Sequence, residues 1–398
     1  MFREKYSRFN GVSITDIEWH GIKVGKLLQQ SQPERFTKCQ ISSGKVISIS
    51  ESPLEREVNA TFWETSSQER KINLGPHYYY RIENCFLNPR HGVVFIDENF
   101  LSETNIYTGR KRIFGIQRNK HDNYFDVPLS AFNKARKIDE PVFALCTSPG
   151  MNYCHFNLDI ASGLIPILDR ITAGEIKLLW SGVLSRFQIQ ILEKLGITED
   201  HLIIEDSVLV HCKAIIKSSS NFHAYKKSLS SAILPFFNKI KRECLSLNSE
   251  LKDLPEKVIL YRSPDTSRRI NEWENWSKLV EWSKSNGFKL IDPGSLSIED
   301  QIKIFSRAKV IIAQHGAALT NLAYGKKDLC IIEVIPEKRL TKLFLCLSKL
   351  ASARHFIVLA KAKRITLGSD LNAFSYVTPF DEIKKIYRNI LSDTLIEN

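Results

Sequence analysis

The feature that most constrains the fold is the regular alternation of strand and helix patterns from Pro141 to the C-terminus. Short apolar runs rich in Val, Ile and Leu alternate with segments whose apolar residues recur at helical spacing. Strands that alternate with helices of this length are typical of βαβ units and a mostly parallel sheet. The alternation pauses at a charged bridge near residue 250 and then restarts, which predicts two consecutive α/β domains.

The chain before residue 130 has a different pattern. Runs such as HYYYRIENCFL and HGVVFIDENFLSE are rich in aromatic and β-branched residues and are separated by Gly, Pro and Asn, which is typical of short strands. A chain of 398 residues has room for several domains at roughly 100–200 residues each. We therefore predict a β-rich segment over residues 1–130, one α/β domain over 131–250 and a second over 251–398.

Charge and composition narrow the class of protein. The 56 Lys and Arg residues exceed the 44 Asp and Glu residues, which gives a net charge of +12. This charge favours anionic partners, although a solvated lysine-rich surface explains it equally well. Basic residues form short clusters rather than a stripe with interleaved aromatics, so we expect no nucleic-acid partner.

The expected location is the cytoplasm. No apolar run approaches the roughly 18 residues of a membrane span, and the N-terminus lacks the apolar stretch of a secretory signal. The eight cysteines include no CxxC pair, which favours a reduced protein over a disulfide framework or a zinc site.

Several common catalytic motifs are absent. The sequence has no P-loop GxxxxGK, no GxGxxG, no GxSxG and no HExxH, so the usual phosphate, dinucleotide, hydrolase and zinc-protease signatures do not apply. No two Asp residues are separated by a single residue, so the acidic pair that holds a divalent metal against a nucleotide diphosphate is missing. We expect chemistry without a metal or a cofactor.

The strongest local motif is KVIIAQHGAALTNL, a buried strand that runs into His315, Gly316 and Ala317 and then a helix. Ligands bind at the carboxyl ends of strands in an open α/β sheet. Gly316 allows close approach to the backbone, and the N–H groups of the next turn offer an anion site. His315 is a candidate donor to a phosphate or sugar oxygen, and Asn321 a candidate to hold the loop or a hydroxyl. The alternative is a hydrogen-bonded turn histidine beside small residues that permit tight packing.

The next motif has three arginines, one at the end of the strand KVILYR and two in the loop after it. Arg262 ends the strand, and Arg268 and Arg269 lie in the loop before a helix. Guanidinium groups bind phosphate oxygens in bidentate fashion and keep their charge. These arginines are candidates for binding a phosphorylated ligand. The alternative is solvated loop arginines that pair with Asp265 and Glu272.

Two carboxylates complete the set of candidates. Glu333 lies alone in the apolar strand LCIIEVIP, where it would accept hydrogen bonds from ribose hydroxyls or form an ion pair at the strand end. His155 and Asp159 are four residues apart and share one face of a helix predicted over residues 155–171. A carboxylate that holds an imidazole in one tautomer makes a general base near neutral pH. A surface pair or a helix cap is the alternative.

These segments, in this order, resemble glycosyltransferase family 61. The matching positions are Asn152, Tyr153, His155, Phe156, Asp159, Arg268, Arg269, Asn271, Glu272, His315 to Asn321, Glu333 and Pro336. The resemblance covers roughly residues 140–340 and is strongest over 258–337. Two positions depart from the family pattern: Ala318 replaces a glycine, and GKKD over 325–328 replaces a Pro-Pro-Gly turn, so the donor sugar stays unassigned.

The resemblance implies a GT-B-like fold, with two Rossmann-like domains facing across a cleft and a β-rich N-terminal segment. It implies an inverting transferase, of the hexosyl or pentosyl class, that moves a sugar from a nucleotide sugar to a glycan or lipid-linked oligosaccharide acceptor. Because no membrane anchor is evident, a bacterial capsular or exopolysaccharide member in the cytoplasm is favoured. Peripheral contact with the anionic inner-membrane face is an option.

The resemblance and the chemistry together suggest a role for each candidate. His155, oriented by Asp159, is expected to take the acceptor proton in the domain over 131–250, and Asp159 is the alternative base. The residues expected to bind the donor without a metal, in the domain over 251–398, are Arg262, Arg268, Arg269, His315, Gly316, Ala317, Asn321 and Glu333, with Lys326 as an additional candidate.

Two other functions stay open. One is another GT-B-type transferase that uses a phosphorylated donor, such as a polysaccharide pyruvyl transferase. The other is a non-catalytic glycan-binding relative. The spacing of the Arg-rich loop and HGAALTN favours family 61 over the first. The presence of both His155 and the arginines favours activity over the second.

Overall fold

The structure is a computed structural model. It describes residues 6–12, 20–21, 35–97, 99–101, 112–113, 116–119, 124–145, 150–219, 229–230, 232–245, 253–261, 273–327, 329–338, 340–365 and 374–396. In these residues no helix is both long enough and apolar enough to cross a membrane. The mixed α/β class predicted from the sequence is confirmed.

The chain divides into two compact units. Unit 1 contains residues 1–46 and 73–240, and unit 2 contains residues 47–72 and 241–398. A short piece of the N-terminal region therefore belongs to unit 2, which the strand pattern does not reveal. The three-part division into 1–130, 131–250 and 251–398 stays a prediction.

Unit 1 is built on a large sheet, to which 14 of the described strands belong. The strands that precede residue 231 are β1 (Tyr6–Val12), β2 (His20–Gly21), β3 (Phe36–Ser42), β4 (Lys45–Ser48), β5 (Lys71–Gly75), β6 (His77–Leu87), β7 (Val94–Ile96), β8 (Asn99–Leu101), β9 (Arg112–Ile113), β10 (Ile116–Asn119), β11 (Tyr124–Pro128), β12 (Arg136–Ile138), β13 (Val142–Ala144), β14 (Lys177–Trp180), β15 (Leu202–Ile204), β16 (Val210–Ser218) and β17 (Leu229–Ser230). The large sheet has the order β15-β14-β13-β16-β6-β7-β8-β1-β11-β10-β9, with β12 beside β16, β3 beside β6 and β2 beside β3. A small sheet has the order β17-β5-β4.

Helices connect or cover these strands and those of unit 2. The described α-helices are α1 (Pro53–Val58), α2 (Ala60–Ser66), α3 (Leu129–Asn133), α4 (Tyr153–His155), α5 (Leu168–Thr172), α6 (Arg186–Lys194), α7 (Ile233–Leu245), α8 (Trp276–Ser285), α9 (Ile298–Arg307), α10 (Leu343–Leu350) and α11 (Phe380–Ile396). Short 3-10 helices lie at Glu199–His201 and Pro293–Ser295.

The parallel part of the large sheet carries the segment that contains His155 and Asp159. β13 runs parallel to β14 and β16, and β14 runs parallel to β15, whereas β16 is antiparallel to β6. Val142, Leu179 and Ile215 are fully buried in the core of this region. Because parallel neighbours need a crossover, the chain leaves the carboxyl end of β13, forms a helical segment and returns as β14.

That helical segment differs from the single helix predicted over 155–171. α4 passes into a π-helix over Phe156–Ile160, then a 3-10 helix over Ala161–Ile167, and finally α5. Pro166 lies inside the 3-10 helix and has no N–H to donate to a regular helical ladder. π-helical turns inside longer helices are frequent at functional sites.

Unit 2 is built on a seven-stranded sheet of described strands. Its members are β18 (Lys257–Leu260), β19 (Trp273–Glu274), β20 (Lys289–Ile291), β21 (Val310–Gln314), β22 (Cys330–Pro336), β23 (Arg354–Ile365) and β24 (Phe374–Val377). Their order is β19-β24-β23-β22-β21-β18-β20. β18 runs parallel to β20 and β21, β21 to β22, and β22 to β23. β24 is antiparallel to β23.

The order of the five parallel strands identifies a doubly wound sheet. Numbered along the chain, they lie in the order 2-1-3-4-5, and the order reverses between β18 and β21. This point of reversal is where open α/β sheets bind ligands, beyond the carboxyl ends of the strands. β18 ends just before Arg262, and β21 ends just before His315.

Helices pack on both faces of this sheet. On one face Ile259, Ile312 and Ile332 share a core with Leu279 of α8 and Ile383 of α11. On the other face α10 contacts β23, where Ser348 lies 2.8 Å from the ring of His355. α1 and α2 also contact β23, and Leu54 and Val58 of α1 pack against the first core. The predicted N-cap of α9 is confirmed, since the side chain of Ser297 accepts from the N–H of Asp300.

Candidate functional site

The first candidate site lies at the start of α4 in unit 1. Asn152 caps this helix, because its Oδ1 accepts from the N–H groups of Cys154 and His155 at 3.0 Å and 3.4 Å. An Asn side chain is well suited to satisfy the free N–H groups at a helix start. The cap sets where α4 begins after β13, and so sets the position of His155.

His155 and Asp159 form a close pair. Nδ1 of His155 lies 2.8 Å from Oδ2 of Asp159, and their side chains are 35% and 12% exposed. An ionised carboxylate only accepts hydrogen bonds, so Nδ1 carries the proton of a neutral imidazole and Nε2 is then the basic nitrogen. The structure therefore brings together the two residues chosen for the proton transfer, and their catalytic roles stay a prediction.

Aromatic side chains pack around the next residue, Phe156. Its ring centroid lies 6.4 Å from that of Trp180 and 5.8 Å from that of Phe187. Among the buried polar atoms of the described residues, Oδ1 of Asn157 and Nε1 of Trp180 have no hydrogen-bond partner. Unpaired buried polar atoms are uncommon in folded proteins, so each of these two atoms has a hydrogen-bonding capacity that no described residue fills.

The second candidate site lies at the end of β21 in unit 2. His315 and Gly316 lead from this strand into a 3-10 helix over Ala317–Tyr324, where the sequence predicts a short helix. The N–H of His315 donates to the carbonyl of Val334 at 2.9 Å, which anchors the turn to β22. Gly316 has an extended φ of 178°, so its backbone conformation does not itself require glycine.

Glu333 of β22 connects two histidines, one just after β21 and one on β23. The register pairs Glu333 with Ala313 and with Ile357, so His315 and His355 are its diagonal neighbours on the same face. Oε1 of Glu333 lies 2.6 Å from Nδ1 of His315, and Oε2 lies 2.9 Å from Nε2 of His355. The side chains of Glu333 and His355 are buried, and that of His315 is 16% exposed.

These contacts keep the Glu333 carboxyl ionised. Burial raises its pKa, but the hydrogen bonds from His315 and His355 and their charge outweigh burial and lower the pKa to about 2. The carboxylate therefore accepts from both rings, and Nδ1 of His315 carries a proton. The ring of Phe344, 5.0 Å from that of His315, adds an apolar contact. Both oxygens of Glu333 have partners within unit 2, and the contact with a ribose stays a prediction.

Asn321 lies in the interior of the 3-10 helix and is fully buried. Its Nδ2 donates to Oε1 of Gln301 on α9 at 2.8 Å. This bond joins the 3-10 helix to α9, so of the two roles predicted for Asn321 the geometry favours holding the loop. Next to it, Oγ1 of Thr320 is buried with no hydrogen-bond partner among the described residues.

The structure describes only some of the remaining candidates for donor binding. Arg262, Arg268 and Arg269 lie outside the described residues. Ala317 begins the 3-10 helix, and Lys326 follows its end and is half-buried. Within the part of the chain that the structure describes, no cluster of three His, Cys, Asp or Glu side chains is arranged to hold a metal ion. Donor binding without a metal stays a prediction.

The two sites lie largely within a region that is similar to a known family. Residues 153–332 match the family model Glycosyltransferase 61. The match includes His155, Asp159 and the turn at His315, and it ends one residue before Glu333. It supports the glycosyltransferase 61 family for this chain and suggests a glycosyltransferase. A comparison with curated proteins gives no match.

Two residues that form hydrogen bonds at the second site, His355 and Gln301, have no distinctive signal in the sequence. His355 lies outside the glycosyltransferase 61 match and looks like a single polar residue at the start of an apolar strand. Gln301 looks like one polar position of the amphipathic helix α9. Both act through partners about 20 residues away along the chain, and only the register of the sheet and the packing of α9 reveal those partners.

Proposed function

We propose that this protein is an inverting glycosyltransferase with a GT-B arrangement of Rossmann-like domains. Unit 1 would serve the acceptor, and unit 2 would bind a nucleotide sugar without a metal. The transferred group would be a hexosyl or pentosyl residue, and the acceptor a glycan or a lipid-linked oligosaccharide. The match over residues 153–332 supports the transferase class.

We place this activity in bacterial capsular or exopolysaccharide synthesis in the cytoplasm. The net charge of +12 suits an anionic donor and is compatible with peripheral contact at the anionic inner-membrane face. Polysaccharide synthesis would supply both acceptor types named above.

The observation that carries the proposal is the position of His315. It follows β21 beside the point where the strand order reverses, which is the usual ligand position in such sheets. Because Glu333 accepts from Nδ1, Nε2 is the ring nitrogen left for a ligand: a protonated ring donates to a phosphate oxygen, and a neutral ring accepts from a hydroxyl. A solvated turn histidine would not need a buried carboxylate behind it.

The arginines would supply the positive charge of the donor site. Arg262 comes two residues after the end of β18, the other strand at the reversal point. Arg268 and Arg269 follow in the same connection. Guanidinium groups at this edge would neutralise the charge that develops on the departing diphosphate.

The transfer step would use the His155–Asp159 pair. The acceptor hydroxyl oxygen bonds to the anomeric carbon while the bond from that carbon to the diphosphate oxygen breaks. The hydroxyl proton passes to Nε2 of His155, and the nucleoside diphosphate leaves with the bonding electron pair. Asp159 holds Nδ1–H and balances the imidazolium that forms.

A panel of nucleotide sugars tests the proposal. Differential scanning fluorimetry of the full chain with UDP-, GDP-, dTDP- and CMP-sugars should show one nucleotide class that raises the Tm, because a ligand that binds only the folded chain stabilises it. Phosphoenolpyruvate in the same panel identifies a pyruvyl transferase. Stabilisation by no nucleotide sugar would refute the proposal.

Two variants separate the roles of the two units. His155→Ala should lose turnover and keep nucleotide affinity, whereas Arg268→Ala should lose affinity. Arg388→Ala, an exposed arginine on α11, is the matched control. The assigned roles are wrong if His155→Ala loses nucleotide binding but not rate, or if Arg268→Ala changes neither.

A chelator tests whether the donor binds without a metal. Full activity in excess chelator is expected, and loss of activity there would contradict donor binding without a metal.

A further inference from the structure

The Glu333 carboxylate holds two histidines, but only His315 is placed to meet a ligand. His355 is fully buried, and its Nε2 donates to Oε2 of Glu333. A buried, ionised carboxylate needs its hydrogen bonds filled, since an unpaired buried charge is costly. His355 therefore fixes the half of the carboxylate that His315 does not use.

The second nitrogen of His355 is also fixed. Nδ1 lies 2.8 Å from Oγ of Ser348 on α10, and the same Oγ lies 2.9 Å from the carbonyl of Leu345. Both ring nitrogens of His355 thus have partners, so the ring cannot rotate without breaking at least one of these bonds. Because both nitrogens are held, the ring of His355 donates to Glu333 from one fixed direction.

The backbone of His355 is held by the short N-terminal piece of unit 2. Its N–H donates to Oε1 of Glu55 at 2.7 Å, and its carbonyl accepts from Nδ2 of Asn59 at 2.8 Å. Oδ1 of Asn59 accepts from the N–H of Ile357 at 2.7 Å. These side chains fill the backbone hydrogen bonds that this stretch of β23 directs away from β22, ahead of the residues that pair with β24.

A continuous set of hydrogen bonds therefore runs from residues 55–59 through His355 and Glu333 to His315. We propose that His355 is a positioning residue for the donor site: it holds Glu333 so that Glu333 keeps a proton on Nδ1 of His315 and turns Nε2 towards the donor. There a protonated ring donates to a phosphate oxygen, and a neutral ring accepts from a hydroxyl. The inference rests on the proposed function for its ligand and not for its geometry. His355 touches no reacting atom.

The first test compares His355→Leu with His355→Gln by isothermal titration with UDP, GDP, ADP and dTDP. Gln keeps an N–H that can donate to Glu333, and Leu does not. Loss of a hydrogen bond to a charged group should raise the Kd of the bound nucleotide by about tenfold or more in His355→Leu, with recovery towards the wild-type Kd in His355→Gln. His211→Gln, in unit 1, should leave the Kd unchanged.

The second test needs no nucleotide. Two-bond ¹H–¹⁵N correlation spectra of the histidine rings report the tautomer of His315, assigned by its disappearance in His315→Asn. The wild-type chain and His355→Gln should show the Nδ1–H form, and His355→Leu should show a mixture of both tautomers. An unchanged His315 tautomer together with an unchanged Kd in His355→Leu would overturn the proposal.

The two tests keep this inference separate from the proposed function. If no nucleotide binds the wild-type chain, the proposed function fails, and the ring spectra still decide whether His355 positions His315. If His355→Leu does not fold, Ser348→Ala replaces it, because it removes the partner of Nδ1 only. Ser348→Ala should shift the ring signals of His355 and raise the Kd in the same direction. Unchanged spectra in that variant would overturn the inference.

Discussion

Nδ1 of His155 lies 2.8 Å from Oδ2 of Asp159, one helical turn further along the chain. The pair spans the junction between α4 and the π-helix over Phe156–Ile160. Asp159 is mostly buried and His155 about one-third exposed, so the carboxylate faces inward while part of the imidazole ring stays accessible. This is the arrangement expected of a base and the group that orients it.

Replacing Asp159 by Asn should lower turnover without weakening nucleotide binding. The amide of Asn can donate to Nδ1, which would place the imidazole proton on Nε2 and remove the base. Because general base catalysis contributes about 10²–10⁴-fold, kcat at saturating donor should fall by a factor in that range. Asp169→Asn, an exposed position on α5, should match the wild-type chain. A loss of nucleotide affinity in Asp159→Asn would contradict the assigned role.

The elements that the sequence predicts well are those set by local chemistry. Ser297 caps α9 as its position before an amphipathic run indicates. Gly287 follows α8 with a φ of 78°, a conformation that glycine adopts without strain. The central strands β18, β21 and β22 of unit 2 follow the apolar runs because most of their residues are buried.

The parts that the sequence does not predict depend on contacts between distant segments. The periodicity of residues 155–171 predicts one helix. It does not show that the backbone hydrogen bonds change to the π and then the 3-10 pattern before Pro166. Residues 47–72 join unit 2 because Glu55 and Asn59 fill the backbone hydrogen bonds of β23, some 300 residues away. The contact between His355 and Glu333 becomes evident only from the strand register, which places His355 diagonally to Glu333.

The ionised Glu333 should make unit 2 sensitive to acid. Its pKa is about 2 in the folded chain and about 4.3 in an unfolded chain, so the unfolded chain binds the proton first as the pH falls. The ionised carboxylate therefore contributes about 3 kcal/mol to the free energy of unfolding. This contribution is complete above about pH 5 and is lost between about pH 5 and pH 2. Urea unfolding at a series of pH values should show that the free-energy difference between wild type and Glu333→Gln shrinks across this window. Glu281→Gln, an exposed position on α8, should show a difference that does not depend on pH.

Removing the side chain of Asn59 should destabilise unit 2 at the edge of β23. Asn59 is fully buried, and its amide bonds to Glu51, to the carbonyl of His355 and to the N–H of Ile357. Leaving such buried groups unpaired costs about 1–3 kcal/mol each, so Asn59→Ala should lower the free energy of unfolding by about 3 kcal/mol. Glu57→Ala, exposed on α1, should have little effect. Hydrogen exchange gives the local readout: the amide of Ile357 should lose protection in Asn59→Ala, and unchanged protection would contradict this account.

The bond between Gln301 and Asn321 should act on stability rather than on nucleotide binding. Nδ2 of Asn321 lies 2.8 Å from Oε1 of Gln301, and both residues are buried. Each single change to Ala should lower the free energy of unfolding by about 1–3 kcal/mol, and the double variant should lose less than the sum, with a coupling of about 1 kcal/mol. Urea unfolding of the four chains measures the coupling, and titration with the nucleotide that stabilises the wild-type chain measures binding. A Kd that rises in Asn321→Ala but not in Gln301→Ala would instead place the Asn321 amide against a ligand hydroxyl.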